Sequence, residues 1–402
     1  MTNLPQGWKM ETLGEILSSD KYSIKRGPFG SALKKSFFVE KGIRIFEQYN
    51  PINNDPHWKR YFISHEKFQE LEAFKATEGD LLISCSGTLG KIVELPKDTE
   101  MGIINQALLK IRLNNIKILN SYFIYYFNSP IMQEKILEST LGSAIKNIAS
   151  VKILKQIEIP LPPLKEQERI VGILDESFAK IDESIKILEQ DLLNLDELMQ
   201  SALQKAFNPL KDNAKENYKL PQSWEWKSLE EISENISAGG DKPKNCTESK
   251  TAKNQIPVYA NGVNNNGLVG YTDKATIIKP SLTISARGTI GFVCIRKEPY
   301  FPIVRLISLI PCENILCLHY LYFCLNFFIA KGEGSSIPQL TIPKFKSLQI
   351  PLPPLKEQEQ IAKHLDFVFE KTKALKELYT KELKDYEELE QSLLNKAFKG
   401  EL

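Results

Sequence analysis

The sequence predicts an α+β chain built as an internal repeat, with two mixed α/β lobes each followed by a long helical arm. Three observations predict it. The decapeptide "IPLPPLKEQE" stands at 159–168 and again, letter for letter, at 350–359. Other segments recur in the same order around both copies. After each decapeptide the apolar residues take up the spacing of a long amphipathic helix.

The repeat is collinear. "LPQGWKMETLGEI" (4–16) returns as "LPQSWEWKSLEEI" (220–232), and "SCSGTLGKIVEL" (84–95) as "SARGTIGFVCIR" (285–296). "LGSAIKNI" from 141 has an echo in "GSSIPQL" from 334, and "SALQKAF" (201–207) returns as "SLLNKAF" (392–398). Preserved order of this kind is the mark of a tandem duplication. A chain of 402 residues also exceeds one ordinary core. The boundaries that follow are a first lobe at 1–160, a central arm at 161–208, a second lobe at 209–351 and a C-terminal arm at 352–402.

In each lobe, "DLLISCSGTLGKIVEL" and "SLTISARGTIGFVCI" have the form strand, glycine turn, strand. "SYFIYYFNSPIMQEKI" (121–136) predicts a buried helix followed by a more polar one. In the first arm Leu174, Phe178, Ile181, Ile185, Leu188, Leu192, Leu195, Met199, Ala202 and Ala206 alternate steps of three and four, a coiled-coil seam. Pro162 and Pro163 suit the first turn of a helix, and Glu166 and Glu168 favour the positive end of its dipole. The second arm, from 354 to about 398, is less regular, with Leu365, Val368, Leu375, Tyr379, Leu383, Tyr386, Leu389 and Leu393 on its apolar side. At 1.5 Å per residue each arm is about 65 Å long.

Composition excludes several classes. A hydrophobic share of 42% with 25% charged residues is that of a soluble globular protein. The opening "MTNLPQGWKM" lacks a basic start and apolar run, so a cytoplasmic location is expected. The apolar stretch "LCLHYLYFCLNFFIA" (316–330) contains His319 and at about 15 residues is too short to span a bilayer, so no membrane partner is expected. The six cysteines form no CxxC pair, and Cys317 and Cys324 sit in the apolar stretch, so no zinc site is expected. Charge is segregated: the lobes carry net +4 and +5, the arms −5 and −2. A polyanion would therefore meet the lobes, although Glu-rich coiled coils are ordinary and the lobe charges mild. Two lobes on a rigid spacer suit two separated segments of one duplex.

Catalytic motifs fail on inspection. "SGTLGK" (86–91) has two residues between its glycines where a P-loop needs four, and the second copy lacks the lysine. "LPPL" offers neither the amide or carboxylate nor the aromatic face that a base-flipping adenine methyltransferase needs. Asp241, Glu248 and Lys250 have nuclease-like types but lie in a polar stretch without strand pattern. What remains is recognition chemistry. Lys25, Arg26, Lys34, Lys35, Gln48, Asn50, Lys59, Arg60 and Lys91 in the first lobe are candidates for DNA contact, as are Asn261, Asn264, Asn265 and Arg287 in the second. Asn and Gln pair bidentately with adenine, Arg and Lys with guanine or phosphate. The competing reading of "YANGVNNNGLVGYT" is a hairpin turn.

Two unlike lobes, a repeated "PLPPLKEQ" leading into a long helix, and G-T-[LI]-G in each lobe together resemble the specificity (S) subunit of type I restriction-modification systems. The resemblance covers the whole chain. It extends to "IKRGPFGSALKK" and "LPPLKEQERIVGILDE" in the first half, and to "ANGVNNNGLVGYT" with "TISARGTIG" in the second. It implies two target recognition domains, each reading half of a split asymmetric site in double-stranded DNA. It also implies two long helices packed as an antiparallel coiled coil that sets the unread gap, in a pseudo-two-fold arrangement. The chain itself would be non-catalytic and bind no cofactor. Two copies of a methyltransferase (M) subunit would methylate adenine with S-adenosylmethionine, and a restriction/translocase (R) subunit would add cleavage using ATP and Mg2+. One partner surface docking twice would explain the identical decapeptides, which makes Lys165, Glu166, Gln167, Lys356, Glu357 and Gln358 the candidate partner-binding residues. The alternatives are a scaffold whose lobes bind protein or RNA, and a self-sufficient methyltransferase.

Overall fold

The computed structural model describes residues 4–138, 148, 150–208, 220–329, 332–333 and 340–402. The repeat "LGSAIKNI"/"GSSIPQL" lies outside the described residues except at its last position in each copy. The chain forms two compact units, residues 1–187 with 381–402, and residues 188–380. Helices α1 (Asn120–Asn128), α2 (Leu164–Phe207), α3 (Leu318–Phe328) and α4 (Leu355–Lys399) frame their cores.

In the first unit the lobe is closed by its own ends, because Lys9–Thr12 pairs antiparallel with Glu158–Leu161. A four-stranded sheet runs in the order Ile24–Arg26, Leu108–Ile111, Leu81–Ser84, Ile92–Glu94. A five-stranded sheet packs beside it, with Ile43–Phe46 parallel to Gly102–Ile104 at its centre. Helix α1 buries Tyr122, Phe123, Tyr126 and Phe127. They share one core with Ile83 and Leu109 of the sheet, Ile170 and Leu174 of α2, and Leu394, Ala397 and Phe398 of α4. Phe398 meets Tyr122 and Tyr126 edge-on at 5.4 and 5.1 Å between centroids. Such pairs add about 0.5–1.5 kcal/mol beyond the burial itself.

The second unit repeats the plan. Glu225–Ser228 pairs with Gln349–Leu352, and a four-stranded sheet runs Ser233–Ala238, Ile307–Pro311, Ser281–Ile284, Val293–Arg296. A three-stranded sheet centred on Ile256–Tyr259 accompanies it. Helix α3 buries Tyr320, Leu321, Phe323, Cys324 and Leu325 against the sheet, with Leu203 and Phe207 of α2 and Ala362 and Leu365 of α4. Phe207 takes the part that Phe398 takes in the first unit, 5.5 Å from Tyr320. The repeated "KAF" thus ends each arm as an aromatic plug under a lobe helix.

The two long helices run antiparallel in both units. The start of α2 meets the end of α4 in the first, where Arg169 Nη2 donates to the Leu402 carbonyl at 2.8 Å. The end of α2 meets the start of α4 in the second, where Lys376 pairs with Asp196. The expected α2 seam holds: Leu174, Ile181 and Leu188 are buried, and Phe178, Ile185, Leu192, Leu195 and Met199 half-buried. The α4 side differs from expectation at two positions. Leu375 and Leu389 are exposed, while Thr372 is buried and Lys376 and Glu390 are half-buried. The inward spacing is therefore regular through Leu365, Phe369, Thr372, Lys376, Tyr379, Leu383, Tyr386 and Glu390, but three of its positions are polar, which hides it from a hydrophobic pattern. The prolines cap α2 rather than enter its first turn, since the Pro163 carbonyl accepts from Glu166 and Gln167. Among the described residues no helix is long and apolar enough to cross a membrane, and no group of three His, Cys, Asp or Glu could hold a metal ion.

Partial burial, then the Asp182 and Glu387 carboxylates, push the Glu390 carboxyl above its usual range. A raised folded-state value means the favourable state is the protonated one: its contribution is complete below the unfolded value and lost as pH rises through the folded one. Glu390→Gln should therefore stabilise the first unit at pH 7 against urea, with the gain shrinking as pH falls toward about 4.3. A variant less stable than the parent at pH 7 would show that this seam position tolerates charge.

Candidate nucleic-acid interface

Each lobe presents a glycine turn at one end of its four-stranded sheet. In the first lobe Gly90 N donates to Ser84 O at 3.0 Å, and Gly87 and Gly90 take φ of 67° and 70°. In the second, Gly291 N donates to Ser285 O at 3.0 Å, with Gly288 and Gly291 at 72° and 81°. Positive φ at both glycines accounts for G-T-[LI]-G without any ligand. The chain also returns to the same point in both lobes: Ile148 N reaches Cys85 O at 3.3 Å and Leu340 N reaches Ala286 O at 3.3 Å.

A second loop, rich in Asn and Gln, is fastened to each turn. In the first lobe Ser86 Oγ donates to Gln48 Oε1 at 3.3 Å, which brings Gln48 to the turn. In the second, Ala286 N donates to Asn261 Oδ1 at 2.8 Å, and Gly262 N to Ser285 Oγ at 3.3 Å. Arg287 is the first residue of this turn, at the place of Ser86. Asn264 and Asn265 stand exposed at the loop's tip. Asn265 and Asn266 have φ of 48° and 52°, a conformation asparagine accepts more readily than most residues. Arg296, 9% exposed, holds that tip from beneath. Its guanidinium donates to the Asn266 carbonyl and to Thr283 Oγ1, and stacks 3.5 Å over the Tyr259 ring.

Two of the expected contact residues are consumed by the fold. Asn50 is fully buried, with Oδ1 accepting from Glu47 N and Nδ2 donating to the Asp55 and Trp58 carbonyls. It shapes its loop and has no edge left for a base. Asn261 uses both ends of its amide, on Ala286 N and on Val304 O, so it is a staple rather than a bidentate reader. Nor do Lys25 and Arg26 form one patch. Strand alternation sends them to opposite faces: Lys25 lies over the Tyr22 and Phe74 rings, Arg26 beside Cys85 and over Phe29. Burial pushes the Cys85 thiol up to about 12 despite that neighbouring cation.

The remaining cations are accessible. Lys34, Lys35, Lys59, Arg60 and Lys91 are exposed. Lys59 is paired with Glu100 at 2.9 Å, whose carboxyl is held below its usual range by that hydrogen bond. Arg60 lies over the Tyr61 ring at 4.8 Å. Two aromatic residues outside the sequence expectations stand among them: Phe29, 68% exposed between Pro28 and Gly30, and Tyr49, 42% exposed and stacked on Trp58. An aromatic set among turn formers beside a basic strand was the available signal for Phe29. The loop that Arg296 supports was marked in the sequence, but nothing there joined Arg296, 30 residues on from Asn266, to it.

The decapeptide divides by helical face. Lys165 and Lys356 are exposed, as are Glu168 and Glu359. Glu166 forms a two-bond pair with Arg169, at 2.8 Å for each bond, and Glu357 accepts from Trp224 Nε1 at 3.0 Å. Gln167 and Gln358 were expected to face a partner, yet both are fully buried. Gln167 Oε1 accepts from Leu119 N at 2.9 Å, and its Nε2 donates to the Lys117 and Pro162 carbonyls. Gln358 repeats this with Cys317 N, Ile315 O and Pro353 O. Internal demands therefore fix the glutamine, and partner contact is not needed to explain it.

Comparison with known proteins bears on the family and the fold. A family model described as the type I restriction modification DNA specificity domain matches residues 5–192 and 221–385. A chain of Mycoplasma pneumoniae named as a type I specificity subunit is 33% identical over 221 residues, 54% of this chain and 56% of that one. A second from the same organism is matched over 66% of its length, so the match spans between half and two thirds of these relatives. The MjaVIII specificity subunit of Methanocaldococcus jannaschii is 25% identical over 81% of this chain and 79% of its own. Among solved structures, a chain from a study of type I R-M complex assembly and conformational transition has a TM-score of 0.80 at 21% identity, covering 100% of both chains. The HsdS subunit of Thermoanaerobacter tengcongensis gives 0.66 at 20% identity, covering 99% of this chain and 98% of its own, a likeness of fold. With the family model taking in most of both repeats, this chain belongs to the type I restriction modification DNA specificity domain family.

Proposed function

We propose that this chain is the non-catalytic DNA reader of a type I restriction-modification complex, each lobe reading one half of a split site. The carrying observation is the doubled arrangement of a Gln- or Asn-bearing loop fastened to a glycine turn, built from different residues in the two lobes. Different side chains on one framework suit two different half-sites. Gln48, Asn264, Asn265 and Arg287 are the candidates for base contact, and Lys34, Lys35, Lys59, Arg60 and Lys91 for phosphate. The antiparallel helices would set the unread gap. Methylation and cleavage, with S-adenosylmethionine, ATP and Mg2+, would belong to M and R subunits recruited by the repeated junctions, one M subunit at each.

Mapping modified adenines in cells that carry the methyltransferase partner, with and without this gene, tests the reading. A gene-dependent bipartite motif is expected. An unchanged adenine pattern despite a formed complex would favour a scaffold instead. Replacing Lys34 and Lys35 by Ala should weaken duplex binding evenly across sequences. It should also flatten the salt dependence by about 0.9 in log–log slope for each phosphate that the variant leaves unneutralised. Charge reversal at Lys165 and Lys356, the exposed cations of the two junctions, should reduce capture of the methyltransferase subunit in a pull-down. Undiminished capture would place the docking surface elsewhere.

A further inference from the structure

The buried glutamines of the two junctions supply something the lobe helices cannot supply for themselves. Helix α1 has Leu119 as its N-cap residue and α3 has Cys317, and neither side chain caps. In a capping box the third helical residue reaches back to the N-cap amide. Among the described residues there are two such boxes elsewhere, Thr12 with Glu15 and Ser228 with Glu231. In α1 and α3 the third residues are Tyr122 and Tyr320, both fully buried, with hydroxyls that donate to the Pro160 and Pro351 carbonyls at 2.8 and 2.7 Å. The reaching role therefore passes to the arm. Gln167 takes the Leu119 amide and Gln358 the Cys317 amide, both at 2.9 Å. Each glutamine also donates to one carbonyl just before the lobe helix and one just before the arm, at 2.8–3.0 Å.

We infer that Gln167 and Gln358 are positioning residues: each pins the start of a lobe's buried helix to the first turn of its arm and so fixes the angle at which the lobe meets DNA. The inference rests on the proposed DNA-reading role and adds to it a second determinant of the gap, at the joint rather than in arm length. A side chain with all three of its bonds inside one joint cannot contact a base or a partner, so its removal acts on geometry alone. Removing it takes the partner from three backbone groups at the joint, one of them in a buried bond and two in part-buried ones, while the lobe's own sheets keep their bonds.

The test uses the full complex with its methyltransferase partner. Duplexes carry the mapped half-sites with the native gap, one base pair fewer and one more. The parent is expected to prefer the native gap strongly, and Gln167→Met or Gln358→Met to reduce that preference by about tenfold. Discrimination against single base changes within either half-site should stay as in the parent. An unchanged gap preference in a variant that assembles would overturn the inference, and so would failure of base discrimination. Where a variant binds no DNA, amide hydrogen exchange of the chain decides. Faster exchange confined to residues 117–119 or 315–317 and the adjoining arm turn supports the joint. Exchange spreading into Leu108–Ile111 or Ile307–Pro311 overturns it. A parent complex with no bipartite motif would count against the DNA-reading role instead, since exchange reads the joint without DNA.

Discussion

Each lobe carries an apolar helix that its own sheets cover on one side only, and the long helices must cover the other. Tyr122, Tyr126, Tyr320 and Phe323 are buried jointly by a sheet and by residues of both arms. Fully burying one such ring is worth about 1.5–3 kcal/mol, so neither a lobe nor an arm end has a complete core without the other. Much else follows from that constraint. The arms must end in an aromatic plug, Phe207 in one unit and Phe398 in the other. The lobe termini must pair as strands to bring the chain back to the arm.

The identity of the two decapeptides becomes intelligible in layers. Pro160 and Pro351 offer carbonyls to the lobe tyrosines, Pro163 and Pro354 offer the first helical acceptors, and the glutamines bridge lobe to arm. These requirements are internal and identical because the two joints are the same structure built twice. Glu166 and Glu357 differ in use, pairing with Arg169 in one copy and Trp224 in the other. The exposed Lys165 and Lys356 have no such internal demand, which is what makes them the better candidates for a shared partner. Beyond the joints the lobes keep a common frame of four-stranded sheet, buried helix and glycine turn, and the loops fastened to that frame have diverged. The first lobe fastens its loop through Gln48 and shapes it with Asn50, while the second relies on Asn261 and Arg296.

The repeat, the two arms, the α2 seam, the glycine turns and, in the first lobe, helix α1 with the more polar helix Pro130–Glu138 after it were all legible in the sequence, because each is written in spacing or in a residue's own backbone preference. The α4 seam was only partly legible, since Thr372, Lys376 and Glu390 occupy inward positions that a hydrophobic pattern assigns to leucine. What the tertiary structure alone decided was which polar residues face inward. Gln167 and Lys165 are two residues apart, and helical geometry turns them about 200° from each other, one to the core and one to solvent. Gln48 and Asn50 are likewise neighbours, yet one reaches a turn 38 residues away and the other closes its own loop. A buried amide is satisfied by whatever backbone groups the fold brings to it, here at separations of up to 50 residues, and no local spacing encodes those partners.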